Sequence, residues 1–180
     1  MDRDADINET AKGDHLAFGR IVVAHQDRIF AYLGRMGLDS AMAEDVAQET
    51  LLRVWRHAGK YNSRLGGLTT WILTIARNVA LTKLSDPGWA KTSVSSDALE
   101  IASDAPLPDD QLAALQRQRQ LHAALACLSA ADRSLLSSSY IDELDLAAVA
   151  RIEGCSVGAA KVRLHRARRR LRQILEAAHE

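Results

Sequence analysis

The sequence predicts an all-α protein of two small helical domains, and three features of its 180 residues support that prediction. Apolar residues recur at steps of three and four almost throughout, which is the helical period, and no strand-like alternation is visible. All three prolines lie in the serine- and aspartate-rich segment 85–110, which is typical of a linker. A helix, a glycine turn and a basic helix close the chain, which indicates a helix-turn-helix. We therefore expect domains at 1–84 and 111–180, joined by an acidic flexible linker.

Three or four helices are expected in the N-terminal domain. One long helix, or two collinear ones, covers about residues 14–36. The next covers about 39–57, since the side chain of Asp39 or Ser40 can accept a hydrogen bond from its first turn. After a glycine-containing loop, Thr69 can cap another helix, which ends before the first proline because proline cannot continue it.

The C-terminal domain is expected to hold four helices. The first opens on acidic residues and reaches about Leu128, and Ser129 then has the capping-box spacing that starts the second. Two further helices are expected at about 145–153 and 156–178. Gly154 separates them and is a candidate for the left-handed conformation that ends many helices.

Charges are segregated along the chain although their sum is zero. Residues 85–110 carry six acidic side chains and one lysine. Residues 155–175 carry no acidic side chain and seven basic ones: Lys161, Arg163, Arg166, Arg168, Arg169, Arg170 and Arg172. A merely solvated helix would normally mix signs through i,i+4 pairs, so this run predicts a nucleic-acid surface.

The last helix combines that charge with a continuous apolar stripe. Its apolar residues step by three and four along the helix: Val157, Ala160, Leu164, Ala167, Leu171, Ile174 and Ala178. The basic residues lie off this stripe, so they present guanidinium groups suited to both phosphate and guanine. The alternative interpretation is a charged surface helix of a bundle.

Residues 43–55 carry two stripes at helical spacing. The first is apolar or small and fits a core: Ala43, Val46, Ala47, Thr50 and Val54. The second surrounds an apolar residue with polar ones, which suits a partner helix: Asp45, Gln48, Glu49, Leu52 and Arg56. An ordinary amphipathic helix is the alternative at this point.

The loop that follows offers three side chains suited to an unstacked base. Tyr61 can stack, Asn62 can form hydrogen bonds, and Arg64 can contact phosphate. An ordinary surface loop has the same composition, so the loop by itself leaves both interpretations open.

Together these segments resemble the extracytoplasmic-function (group IV) sigma factors of the sigma-70 family. The matching strings are AEDVAQETLLRVW at 43–55, TTWILTIARN at 69–78 and SVGAAKVRLHRARRRL at 156–171. The resemblance covers about residues 14–84 and 112–175. It implies a protein that binds core RNA polymerase and directs promoter-specific initiation of transcription.

The resemblance also implies roles for particular residues. Contact with the β′ clamp helices of core polymerase falls to Asp45, Gln48, Glu49 and Leu52. Recognition of the melted −10 element falls to Tyr61, Asn62, Arg64, Arg77 and Asn78. Recognition of the −35 element, with the C-terminal domain held near the β flap, falls to Ser156, Lys161, Arg163, Arg166, Arg169 and Arg170. The family further implies an anti-sigma factor as partner.

Two other functions remain open at this point. One is a sigma mimic that titrates an anti-sigma factor, and the basic last helix argues against it. The other is a helix-turn-helix repressor, which would not need the strings at 43–55 and 69–78. DNA binding by the C-terminal half, without polymerase binding, would favour the repressor over the mimic.

Several classes of protein are excluded or disfavoured. No secretory signal, membrane-spanning run, zinc-type cysteine pairing, Walker loop or nucleophile elbow is present, so we expect a cytoplasmic protein that is not an enzyme and needs no metal or cofactor. The two cysteines exclude a disulfide framework. Cys127 and Cys155 are expected to be buried as small apolar residues, with a redox switch as the alternative.

Overall fold

The computed structural model describes residues 3–86 and 109–178, and within them it contains eight α-helices and no strand. The all-α prediction is therefore confirmed. Most of the predicted linker, residues 87–108, lies outside the described residues. The helices are α1 (Arg3–Thr10), α2 (His15–Arg35), α3 (Ser40–His57), α4 (Leu68–Leu84), α5 (Asp109–Ala126), α6 (Ala130–Leu136), α7 (Leu146–Ile152) and α8 (Val157–Ala177). Short 3-10 turns occupy Ala58–Lys60 and Ser63–Leu65, and a π-helical segment, Ser137–Ile141, extends α6.

Side-chain caps begin most of the helices where the sequence predicts them. Asp14 accepts hydrogen bonds from the backbone of the first turn of α2, and Ser129 does the same for α6. Asp145 and Ser156 cap α7 and α8. Gly154, between those two helices, has a φ of 62°, which is the left-handed conformation expected of it.

The predicted cap of α4 is wrong. The helix begins at Leu68, its N-cap is Gly67, and no side chain caps it. Leu68 is 3% exposed in the core, so its burial extends the helix one residue before Thr69. Burying a leucine side chain contributes about 1.5–3 kcal/mol and a side-chain cap about 0.5–2 kcal/mol, so burial is on average the larger contribution.

The first helix, α1, is not predicted by the sequence. It holds too few apolar residues to show a helical period, yet Ile7 is completely buried. Arg20 of α2 donates to Asp6 over 2.7 Å and to Glu9 over 3.0 Å. Tertiary contacts therefore stabilise a helix that is too short and too polar to form alone.

One large apolar core joins α2, α3 and α4. Its fully buried side chains include Ile29, Tyr32, Leu33, Met36, Met42, Val46, Ile72 and Leu73. Ile152 of α7 belongs to this same core, although it lies in the C-terminal half of the chain. A second, smaller core joins the helices of that half: Leu128, Leu135, Leu136, Val149 and Ala167. The two domains are therefore packed against each other.

Replacing Asp39 with alanine should destabilise the N-terminal domain by about 0.5–2 kcal/mol. Its Oδ1 accepts a hydrogen bond from the Met42 backbone over 2.8 Å, and the variant leaves that amide without its partner. Urea denaturation followed by circular dichroism measures the change. Ser40→Ala is the matched control, since Ser40 is exposed and does not cap α3. Equal stability of both variants would contradict the assignment of Asp39 as cap.

Candidate functional site

The outer face of α3 carries the four side chains expected to contact polymerase. Asp45, Gln48 and Leu52 are exposed, and Glu49 is half-buried. Leu52 is 43% exposed, so an apolar side chain lies in solvent among polar neighbours. The first stripe predicted for this helix is buried in the core, as expected: Ala43, Val46, Ala47, Thr50 and Val54. This arrangement leaves the second stripe available to a partner.

One ion pair orders the centre of that face. Arg53 Nε donates to Glu49 Oε1 over 2.6 Å, one helical turn away. The hydrogen bond from Arg53 lowers the pKa of the Glu49 carboxyl below its usual value. Glu49 is therefore held as a negative charge beside Leu52, and the face presents an apolar centre with an anionic edge.

Some side chains of the loop before α4 make contacts within the protein itself. Tyr61 is half-buried against Trp71, with ring centroids 5.6 Å apart, and its hydroxyl donates to Asp4 over 2.8 Å. Burial and, second, this hydrogen bond raise the pKa of Tyr61 to about 12. Asn62 Oδ1 accepts from the Arg64 backbone over 3.0 Å and so shapes the turn. The side chains of Asn62 and Arg64 are exposed.

Arg77 and Asn78 of α4 point to different environments. Asn78 is exposed, whereas Arg77 is 8% exposed and faces the C-terminal domain. Its guanidinium donates twice to the carboxylate of Glu153, over 3.0 and 2.8 Å. The structure therefore does not bring Arg77 onto the same surface as Asn62 and Arg64.

The six residues predicted for the −35 element all lie on α8 or at its cap, but they are not equivalent. Lys161, Arg166 and Arg169 are exposed and make no ion pair within the described part of the chain. Arg163 is half-buried and donates to Glu153 over 3.0 Å. Arg170 donates to Asp132 over 3.0 Å. Ser156 accepts a hydrogen bond from the Ala159 backbone and thereby caps the helix.

Glu153 is a residue that the sequence patterns above do not single out. It directly follows α7, and an acidic side chain at a helix C-terminus opposes the helix dipole. That unfavourable position is the one local signal that Glu153 needs cationic partners. Which arginines supply them is visible only in the structure.

The two cysteines differ in exposure. Cys127 is exposed, so its predicted burial is wrong, and Cys155 is half-buried in the turn before α8. Cys127 follows the last residue of α5, where the helix no longer covers its side chain.

Within residues 3–86 and 109–178, no cluster of three or more histidine, cysteine or acidic side chains is placed to hold a metal ion. None of the helices in the described ranges has both the length and the hydropathy needed to cross a bilayer.

Two family models match the chain in the expected order. The model of Sigma-70 region 2 matches residues 21–90, which include α3 and α4. The model of Sigma-70 region 4 matches residues 118–171, which include α7 and most of α8. The segments that carry the candidate surfaces therefore lie within the matched regions.

Known proteins match over most of their length. The ECF RNA polymerase sigma factor SigL of Mycobacterium tuberculosis is 34% identical over 152 residues, which cover 84% of this chain and 85% of SigL. The ECF RNA polymerase sigma factor SigW of Bacillus subtilis is 29% identical over 177 residues, covering 94% of each chain. The sigma factor RpoE of Bartonella quintana, solved with the anti-sigma factor NepR, shares the fold with a TM-score of 0.68 at 24% identity, covering 88% of this chain and 96% of RpoE. The chain belongs to the ECF RNA polymerase sigma factors.

Proposed function

We propose that this sigma factor docks on core RNA polymerase through the outer face of α3. The observation that carries the proposal is the exposure of Leu52 between Gln48 and the ion-paired Glu49. An exposed apolar side chain ringed by polar groups is typical of the centre of a protein interface. The clamp helices of the β′ subunit are the proposed partner. The β flap is the proposed partner of the C-terminal domain.

The proposed DNA contacts are divided between the two domains. Residues 1–84 form the domain that melts and binds the −10 element, through Tyr61, Asn62, Arg64, Arg77 and Asn78. Extruding a base costs a few kcal/mol, so contacts to the separated strand must offset that cost. Residues 111–180 form the domain that binds the −35 element in the major groove, through Ser156, Lys161, Arg163, Arg166, Arg169 and Arg170. Residues 85–110 are the proposed linker.

An anti-sigma factor is the proposed regulator. The support is that a solved sigma factor of this fold is held by the anti-sigma factor NepR. Such a partner would act in the cytoplasm, which is the proposed location of this chain. We propose no catalytic activity for the chain itself, since polymerase carries out the chemistry of transcription.

Co-migration with core polymerase tests the docking face. The full chain should elute with core polymerase on size exclusion, and the double variant Gln48→Ala, Leu52→Lys should elute apart from it. Truncating a hot-spot residue at an interface centre costs about 2 kcal/mol or more, or about thirtyfold in affinity. A lysine at position 52 adds the cost of desolvating its charge.

The matched control is Val23→Lys, which places the same charge on another exposed apolar site. Val23 is 73% exposed on α2 and is not part of the proposed face on α3. This variant should co-migrate as the original chain does. Failure of the folded, unsubstituted chain to bind core polymerase would contradict the proposed function. Equal loss with both variants would contradict the assignment to α3.

A further inference from the structure

Two arginines from different domains meet at one buried carboxylate. The side chain of Glu153 is fully buried, and its two oxygens accept four hydrogen bonds. Arg77 of α4 donates to both oxygens, and Arg163 of α8 donates to Oε2. One residue proposed to contact the −10 element and one proposed to contact the −35 element therefore share a single acidic partner.

A chain of two hydrogen bonds, from Tyr32 to Ser134 and from Ser134 to Glu153, also ends at this carboxylate. Ser134 donates its hydroxyl hydrogen to Glu153 Oε1 over 2.7 Å. Since that hydrogen is used, Tyr32 is the donor in its 2.6 Å bond with Ser134 Oγ. Tyr32 belongs to the N-terminal domain and Ser134 to the C-terminal domain, so the chain crosses between them. Burial raises the pKa of Tyr32 to about 12.

The rest of the domain interface supports the same closed arrangement. Asp142 accepts two hydrogen bonds from Arg35, over 3.0 and 3.1 Å, and lies 3.6 Å from Arg28. Arg133 donates to the Met36 carbonyl over 2.9 Å. Ile152 is 1% exposed and packs in the core of the N-terminal domain rather than in its own. Apolar burial and ion pairs therefore hold the domains together.

The loop proposed to bind the −10 strand also lies against α7. A Cβ atom built at Gly66 would come within 2.8 Å of Arg151 Nη1, so no side chain fits there without a shift. Gly66 has a φ of 152°, which also favours glycine. The Arg151 side chain of α7 thus lies against this loop at Gly66.

These contacts affect the DNA surfaces and the polymerase surface differently. Arg77 cannot reach phosphate while its guanidinium is buried and doubly bonded to Glu153. In contrast, Asp45, Gln48 and Leu52 remain exposed. The closed chain can therefore meet a partner at α3 while part of its DNA-binding surface is withheld.

We propose that Glu153 is an autoinhibitory latch that withholds Arg77 from DNA until the two domains separate. The inference rests on the proposed function, in which Arg77 and Arg163 contact promoter DNA. Separation frees Arg77 outright. It leaves Arg163 beside Glu153, because both belong to the C-terminal domain. DNA phosphate must then compete with the Glu153 carboxylate for Arg163.

Opening the full chain without altering its DNA-contacting residues tests the latch. Ile152→Ala removes apolar burial at the interface, and Asp142→Ala removes the carboxylate that pairs with Arg35 and Arg28. Both variants should show a larger radius of gyration by small-angle X-ray scattering, with helical content by circular dichroism unchanged. Glu153→Gln removes the latch charge directly. A cooperative thermal transition of Glu153→Gln would show that this variant is still folded. Any weakening of its DNA binding would then not be caused by unfolding.

DNA binding is measured with a fluorescein-labelled fork, duplex at one end and single-stranded at the other, over a series of salt concentrations. Each arginine uncovered should steepen the slope of log K against log salt by about 0.7–0.9. One such increment is expected for Ile152→Ala and Asp142→Ala, and up to two for Glu153→Gln. Adding Arg77→Ala to Ile152→Ala should remove the increment.

Three results would overturn the latch. The first is that opened, folded variants bind the fork with the same slope as the original chain. The second is an increment that survives Arg77→Ala, because another group would then be responsible. The third is that no form binds the fork, in which case co-migration with core polymerase decides separately whether the proposed function stands.

Discussion

Replacing Leu33 with alanine is expected to lower the free energy of unfolding by about 2–5 kcal/mol. Leu33 lies on α2 with no exposed surface, in the core shared by α2, α3 and α4. The variant loses the transfer free energy of the removed atoms and leaves a cavity that its neighbours fill only in part. Chemical denaturation with urea measures the loss, and a fall in the midpoint without a change in slope identifies a pure stability effect.

Val23→Ala on the same helix is the matched control. Val23 is 73% exposed, so its truncation should change stability by no more than about 0.5 kcal/mol. A comparable loss in both variants would mean that the loss at Leu33 does not come from its burial, because alanine is the best helix former and Val23→Ala removes almost no buried atoms. The position of Leu33 in the core would then be wrong.

Removing Arg166 and Arg169 together should produce a large loss of DNA affinity. Both side chains are exposed and make no ion pair within the described residues, so neither must be released before it reaches DNA. For duplex DNA, each phosphate that the protein no longer neutralises lowers the salt slope by about 0.9. The double alanine variant should therefore reduce the slope by up to about 1.8, measured by fluorescence anisotropy on duplex DNA.

Arg172→Ala provides the matched control on the same helix. Arg172 is exposed and basic but lies closer to the C-terminus of α8, farther from the N-terminal end that a recognition helix brings to DNA. Its removal should change the salt slope less than either Arg166→Ala or Arg169→Ala. An equal effect from all three would indicate a diffuse electrostatic attraction instead of a defined recognition surface.

Local chemistry predicts most of the helix boundaries. Asp39, Ser129 and Ser156 cap helices in the structure as their types and spacing indicate, and Asp14 and Asp145 cap helices whose starts are predicted beside them. A cap depends on one side chain and the backbone within three residues, so a sequence contains all the information it needs. The prediction for Thr69 is wrong because burial of Leu68, a tertiary effect, favours an earlier start for α4.

The candidate site likewise has features that local patterns predict and one that they do not. The exposed stripe on α3 and the basic face of α8 follow from helical periodicity, which places residues three and four apart on one side. The state of Arg77 does not follow from it. Periodicity distinguishes Arg77 from Asn78, but it cannot tell a surface that meets solvent from one that meets another domain.

The fold class, the order of the helices, most of their caps and the two exposed faces could thus be read from the amino-acid order alone, because each depends on interactions between near neighbours in the chain. Three features required the packed molecule: the formation of α1, the position of Ile152 in the other domain's core, and the pairing of Glu153 with Arg77. Arg77 and Glu153 are 76 positions apart, and no local pattern encodes such a pair. Their contact depends on how two separately folded surfaces fit together.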